Sequence, residues 1–189
     1  MRAFLAIELP EEARCALVAL QRELDRSVSD WRWTRPEALH LTLRFLGKID
    51  DRTDRETRGG WAAAARSVAS FALVARGLGC FPDARRPRVL WIGVEEPDGQ
   101  GRLSTLAEAV ERTARMAGFS PEPRRFEPHL SLARAARTGR PRAPRSSEEG
   151  IDTPIPVTQV VLFESQLEPT GARYTARARF PLGDAPGTS

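Results

Sequence analysis

His40-Leu41-Thr42-Leu43 and His129-Leu130-Ser131-Leu132 are near-copies 89 positions apart, and between them they hold both histidines of the chain. In each, polar and apolar residues alternate with period two, as they do on a strand with one buried face. Leu41, Leu43, Leu130 and Leu132 are expected in a core. His40 with Thr42, and His129 with Ser131, then stand on the opposite faces. A fold that suits this chain must supply two such strands from distant halves. If they meet, two imidazoles and two hydroxyls line one cleft.

The flanking segments repeat loosely as well. Phe4–Leu9 reads as a strand stopped by Pro10. Residues 11–27 read as a helix burying Ala13, Leu17, Leu20 and Leu24, with acids at its positive end. The first histidine strand runs from Leu39 to Phe45 and ends at Gly47. Residues 51–69 read as a second helix, with a kink expected at Gly59-Gly60. Phe71–Ala75 and Val89–Val94 are strands around a Pro- and Arg-containing loop at 82–87. Leu103, Leu106, Ala107, Val110, Ala114 and Ala117 outline a third helix closed by Gly118. Pro121, Pro123 and Pro128 stiffen the approach to the second histidine strand. Residues 136–150, rich in Arg, Pro and Ser, read as a loop whose arginines face a polyanion. Val157–Phe163 is a strand, and Arg173–Phe180 another, with Tyr174, Ala176, Ala178 and Phe180 inward. The tally of about seven strands and three helices, interspersed, predicts an α+β fold. Its architecture is bilobal: two pseudo-symmetric lobes of mainly antiparallel sheet, with outer helices and a central cleft. Residues 1–182 form that single domain, and 183–189 a flexible tail.

An apolar fraction of 41% is enough for one core in 189 residues. Lys48 is the one lysine among 29 basic residues. Arginine's planar fork suits phosphate oxygens, but GC-rich codon usage produces the same bias, so composition alone does not identify a polyanion partner. Cys15 and Cys80 lack motif spacing and read as reduced thiols of an intracellular protein. The apolar start is cut short by Glu8, which argues against a signal peptide, and no run approaches a membrane span. A cytoplasmic protein with no membrane partner is expected. Zinc spacing and Gly-rich phosphate loops are absent, and no acidic cluster flanks the histidines, so neither metal nor cofactor is expected. Trp31, Trp33 and Trp91 have the surface to stack on bases, though tryptophans beside strands read first as core.

Two imidazoles across a cleft can serve as general base and general acid near neutral pH. Attack at phosphorus with departure of an alkoxide needs both at once. Thr42 and Ser131 are too weakly acidic to be nucleophiles without a neighbouring base. They suit hydrogen-bond donation to phosphoryl oxygens. The residues themselves do not say which ring is acid and which is base.

With its flanks, the pattern resembles the 2H phosphoesterases, and within them the RNA 2′,3′-cyclic phosphodiesterases, also called 2′-5′ RNA ligases. The resemblance runs from Arg2-Ala3-Phe4-Leu5-Ala6-Ile7-Glu8-Leu9-Pro10 through Arg32-Trp33-Thr34-Arg35-Pro36 and His40-Leu41-Thr42-Leu43-Arg44-Phe45-Leu46-Gly47. It continues in Pro87-Arg88-Val89-Leu90-Trp91, Phe126-Glu127-Pro128-His129-Leu130-Ser131-Leu132-Ala133-Arg134, Val161-Leu162-Phe163-Glu164-Ser165 and Tyr174. It implies hydrolysis of a 2′,3′-cyclic phosphate at an RNA end to a 2′-phosphomonoester, with 2′-5′ ligation as the reverse. His40 is then the proton donor and His129 the proton acceptor, with Thr42 and Ser131 holding the phosphate. Arg134, Arg44 and Phe4 are the expected substrate contacts. Ser131 departs from the commoner threonine but keeps the hydroxyl. RNA with a cyclic end, tRNA fragments among them, is the expected partner of a monomeric enzyme. Two rival readings are a non-catalytic RNA-binding module and a 2H enzyme acting on a small cyclic nucleotide.

Overall fold

A computed structural model of the chain describes residues 1–144, 150–168 and 171–184. In β1 (Arg2–Glu8), Leu5 and Ile7 join the main core while Phe4 and Ala6 face the other way. Pro10 starts α1 (Glu11–Asp25), which buries Ala13, Leu17, Leu20 and Leu24 as its spacing predicts. Then follow β2 (Trp31–Trp33), a single 3₁₀ turn (Pro36–Ala38), β3 (His40–Lys48) and α2 (Asp51–Arg66). β4 (Phe71–Phe81) and β5 (Val89–Glu95) lead to α3 (Arg102–Met116). The chain ends in β6 (His129–Ala135), β7 (Gly150–Val157), β8 (Gln159–Glu168) and β9 (Gly171–Pro181).

The strands form one antiparallel sheet in the order β7-β4-β5-β6-β3-β1-β8-β9, with β2 added on β6. The two histidine strands are the central pair. Outward from them run β3-β1-β8-β9 on one side and β6-β5-β4-β7 on the other, two four-stranded halves about a pseudo-two-fold axis. Leucines of the helices pack with Leu5, Leu41, Leu90 and Leu130 in the large core. Phe4, Ala6, Val161 and Phe163 form a smaller cluster, with Tyr174 against it. The α+β, two-lobed expectation holds.

Several local expectations change. Nine strands are present among the described residues, not seven. β4 continues past Ala75 because Gly77, at φ 78°, absorbs an irregularity in the β4–β5 pairing. β7 begins at Gly150, the last residue of the segment read as a loop, and takes in residues 151–156, which no expected element covered. Its Pro154 and Pro156 look like strand breakers, but β7 is an edge strand, where a missing N–H is tolerated. Residues 145–149 of that expected loop lie outside the described residues. α2 shows no break at Gly59-Gly60. Gly60 is instead where α2 passes α3, since a Cβ there would sit 2.8 Å from Thr113 Cγ2. Nor does Gly183 fray: its N–H bonds Val68 O at 2.8 Å and its carbonyl accepts from Ser70 N–H at 3.1 Å. The remaining tail, 185–189, lies outside the described residues. Both cysteines are free thiols. Among the described residues, no helix is long and apolar enough to cross a membrane.

Candidate active site

β3 and β6 meet at Leu41 and Leu130. One residue to either side, that register sets His40 across from Ser131 and Thr42 across from His129, on a shared face. Directly opposed side chains on a sheet have Cβ atoms about 4.5–5.5 Å apart, and diagonal neighbours about 7–8 Å. The two rings therefore occupy one diagonal of a four-residue square and the two hydroxyls the other.

Each histidine strand then bulges at the equivalent place. Leu5 pairs Arg44 but Ala6 pairs Thr42, skipping Leu43; Leu90 pairs Ala133 but Trp91 pairs Ser131, skipping Leu132. A bulge inverts which side chains face which way. Arg44 and Ala133 consequently turn to the core side, while Phe45 and Arg134 come round to the face that carries the histidines. Buried Gln21 of α1 secures the second bulge, its amide donating to Leu132 O at 2.9 Å and Thr34 O at 3.0 Å.

The rings are held alike. His40 Nδ1 lies 2.8 Å from Ala38 O, and His129 Nδ1 lies 2.7 Å from Glu127 O. A carbonyl only accepts, so Nδ1 carries the proton and Nε2 is the atom left for chemistry. Around His40, Phe4 sits 4.8 Å away centroid to centroid, Tyr174 stands edge-on at 5.1 Å and Phe163 lies at 6.4 Å. Burial pushes the His40 pKa down to about 4 against the pull of the Ala38 carbonyl, and the charges of Arg134 and His129 lower it further. Burial raises the Tyr174 hydroxyl, with Arg134 opposing. A cavity of about 200 Å³ opens beside His40, walled by Phe163 and Tyr174 with Glu8 and Glu37 among its polar lining. Around His129, Phe81 stands edge-on at 4.9 Å and Trp91 lies at 6.1 Å. Gly79 seats the Trp91 indole, since a Cβ there would come 2.1 Å from the ring.

Of the expected site residues, His40, Thr42, His129 and Ser131 gather, and Arg134 stands exposed on the same face. Two expected substrate contacts fall elsewhere. Arg44 is 7% exposed and turned by the bulge toward α3, pairing with Glu111 at 2.6 Å and Glu122 at 3.1 Å and donating to Ser120 O. It braces β3. Phe4 is 2% exposed and lies against the His40 ring, a support with almost no surface for a ligand. Trp31 and Trp33 pack at the core's edge, with Trp33 Nε1 bonding Asp25 at 2.6 Å. The residue that sequence reasoning missed is Phe45, 59% exposed beside Phe4 at 5.9 Å. Aligning the two motifs pairs Phe45 with Arg134, a signal that needs the bulge before it means anything. The ring walls Phe81, Phe163 and Tyr174 were likewise not foreseen in that role.

The site combines two oriented imidazoles, two hydroxyls, an exposed guanidinium and an exposed aromatic ring on one face. An RNA 2′,3′-cyclic phosphodiesterase from Aquifex aeolicus is 32% identical over 190 residues, spanning 97% of this chain and 98% of its own. The crystal structure of TT0787 of Thermus thermophilus superposes with a TM-score of 0.82 at 32% identity, covering 97% of this chain and 99% of that one. E. coli LigT complexed with 3′-AMP gives a TM-score of 0.78 at 27% identity, over 96% and 97% of the two chains. The LigT like Phosphoesterase family matches twice, over residues 7–91 and 92–174, and the chain belongs to that family.

Proposed function

We propose that this chain hydrolyses the 2′,3′-cyclic phosphate at an RNA 3′ end to a 2′-phosphomonoester, His40 giving the proton and His129 taking one. The observation that carries the reading is the Leu41–Leu130 register, which brings both motifs to one face from halves 89 residues apart. The activity named for the Aquifex relative supports it.

His129 Nε2, a lone pair in the neutral ring, removes a proton from water as the water oxygen bonds to phosphorus. The P–O3′ bond breaks in line, and O3′ takes a proton from His40 Nε2. Thr42 and Ser131 donate to the non-bridging oxygens, and Arg134 balances their charge. The product keeps the P–O2′ bond and frees the 3′-hydroxyl. A proton moves from His129 to His40 through solvent to reset the pair. With a 5′-hydroxyl in place of water, the same steps join the 5′ oxygen to phosphorus, break the P–O3′ bond and make a 2′-5′ bond, and abundant water favours hydrolysis. The enzyme works as a cytoplasmic monomer, with neither metal nor cofactor, on RNA ends that include tRNA fragments.

The test is incubation with an oligoribonucleotide bearing a 2′,3′-cyclic phosphate. A 2′-phosphomonoester product is expected. A 3′-phosphate would reverse the assigned leaving oxygen, and no product would refute the activity.

A further inference from the structure

Charge is shared unequally between the two halves. On β9, at the edge of the His40 half, each arginine has an acid beside it: Arg179 pairs with Glu8 at 2.9 Å, Arg177 with Glu164 at 3.8 Å and Arg173 with Glu168 at 3.6 Å. The His129 half differs. Arg32 on β2 sits directly across from Arg134 on β6, like charge facing like. The β4–β5 connection adds Arg85, Arg86 and Arg88, and the segment after β6 adds Arg137, Arg140 and Arg142. All eight are exposed. Among the described residues none of them enters an ion pair.

Two acids lie within these segments, and both are turned to backbone amides. Asp30 accepts from Arg140 N–H at 3.2 Å, and Asp83 from Arg85 N–H at 2.7 Å and Arg86 N–H at 3.0 Å. The segments are tied to one another. Ala135 N–H bonds Arg88 O at 2.9 Å, Ala136 N–H bonds Asp30 O at 2.8 Å, and Trp31 Nε1 bonds Arg142 O at 3.0 Å. The cations thus form one fan on a fixed frame. Like charges directly opposed on a sheet are destabilising, and an anion lying between Arg32 and Arg134 would turn that repulsion into attraction.

We infer that this fan is a docking track for single-stranded RNA, holding the backbone phosphates of the stretch next to the cyclic end. The inference rests on the phosphodiesterase reading of the cleft, because Arg134 belongs to both: it stands on the histidine face and opposite Arg32. Planar guanidinium forks match phosphate oxygens bidentately and read no bases. The track therefore selects polymer over mononucleotide, whatever the sequence. It also breaks the symmetry of the cleft, because the polyanion leaves over the His129 half.

The experiment compares a ten-nucleotide RNA ending in a 2′,3′-cyclic phosphate with a nucleoside 2′,3′-cyclic monophosphate. The enzymes are wild type, an Arg137→Gln/Arg140→Gln/Arg142→Gln variant and a charge-matched Arg66→Gln/Arg112→Gln/Arg115→Gln control on α2 and α3. Wild type should show a KM at least about 10-fold lower for the oligonucleotide. The loop variant should lose that advantage with kcat and mononucleotide turnover unchanged, and the control should keep it. The slope of log affinity against log salt for the oligonucleotide should fall by about 2 in the loop variant, at about 0.7 per lost phosphate contact. Equal KM values for the two substrates in wild type, or equal losses in variant and control, would overturn the track while leaving the phosphodiesterase standing. Oligonucleotide binding that the loop variant alone abolishes, with neither substrate cleaved, would uphold the track and remove the phosphodiesterase.

Discussion

His40 and His129 sit on strands with the same register and the same bulge, and each ring meets a carbonyl two residues upstream. Their surroundings differ. His40 is enclosed by Phe4, Phe163 and Tyr174, whereas Phe81 and Trp91 flank His129. Beyond the bulges, the first half presents Phe45 where the second presents Arg134. Duplication therefore supplies the shared geometry, and the side chains that escaped duplication supply direction. His40 is neutral in the free protein at pH 7, because its pKa is held near 4. It becomes a donor when a phosphate anion beside it offsets the effect of burial. On the proposed mechanism, the acid is made by its own substrate.

The widest test of that contrast removes each ring in turn. His40→Ala and His129→Ala should each lower kcat by at least about 10²-fold while leaving the fold intact, as read by circular dichroism. An active variant of either would end the division of labour. Next comes the exchange point. Arg134→Gln should reduce kcat/KM by about 10- to 10²-fold, the worth of a hydrogen bond to a charged group. Phe45→Ala should raise KM by about 10-fold through lost stacking on a base. An equal response to both in a base-free ribose cyclic phosphate would show that Phe45 does not meet the base. Gly79→Ala drives a Cβ into the Trp91 ring and should cost about 1–3 kcal/mol of stability by overpacking, read from denaturant midpoints. Its activity loss should be confined to the His129 side.

The pH response separates the two rings more finely. Because the His40 pKa is lower folded than its ordinary value near 6.5, the unfolded chain binds more protons between those limits. Its contribution to stability is present above about pH 6.5 and lost as pH falls through about 4. His40→Phe should flatten that acid limb in melting curves, leaving only the slope due to other groups. In kinetics, the donor pKa should lie higher in kcat than in kcat/KM, since only the former reports the phosphate-bound state. Smallest of all, Ser131→Thr should alter turnover less than about 2-fold, because the hydroxyl is kept and only its rotamer is narrowed.

Alternation around His40 and His129 was enough to place four of the site's side chains, because one buried face forces the polar partners to the other. It failed beyond Leu43 and Leu132. A bulge adds one residue without any local mark in composition, so Arg44 looked exposed and is a strut. Phe45, which the alternation continued from Leu41 and Leu43 would turn inward, lies open to solvent. Gly59-Gly60 looked like a break because propensity ignores what a neighbouring helix requires of the contact. Residues 151–156, which include two prolines, fell in no expected element, and their place as a strand depends on lying at the sheet's edge, a fact of topology. What pattern carries is parity; what it omits is who lies alongside.

The placement of β8 and β9 against β1 has a consequence for synthesis. The first histidine is translated early, but two of the rings that enclose it, Phe163 and Tyr174, follow more than 120 residues later. A nascent chain on the ribosome can assemble the second catalytic half while the first still lacks its outer wall. On the proposed mechanism, chains truncated before β8 should not open the cyclic phosphate, because His40 would lack two of its enclosing rings.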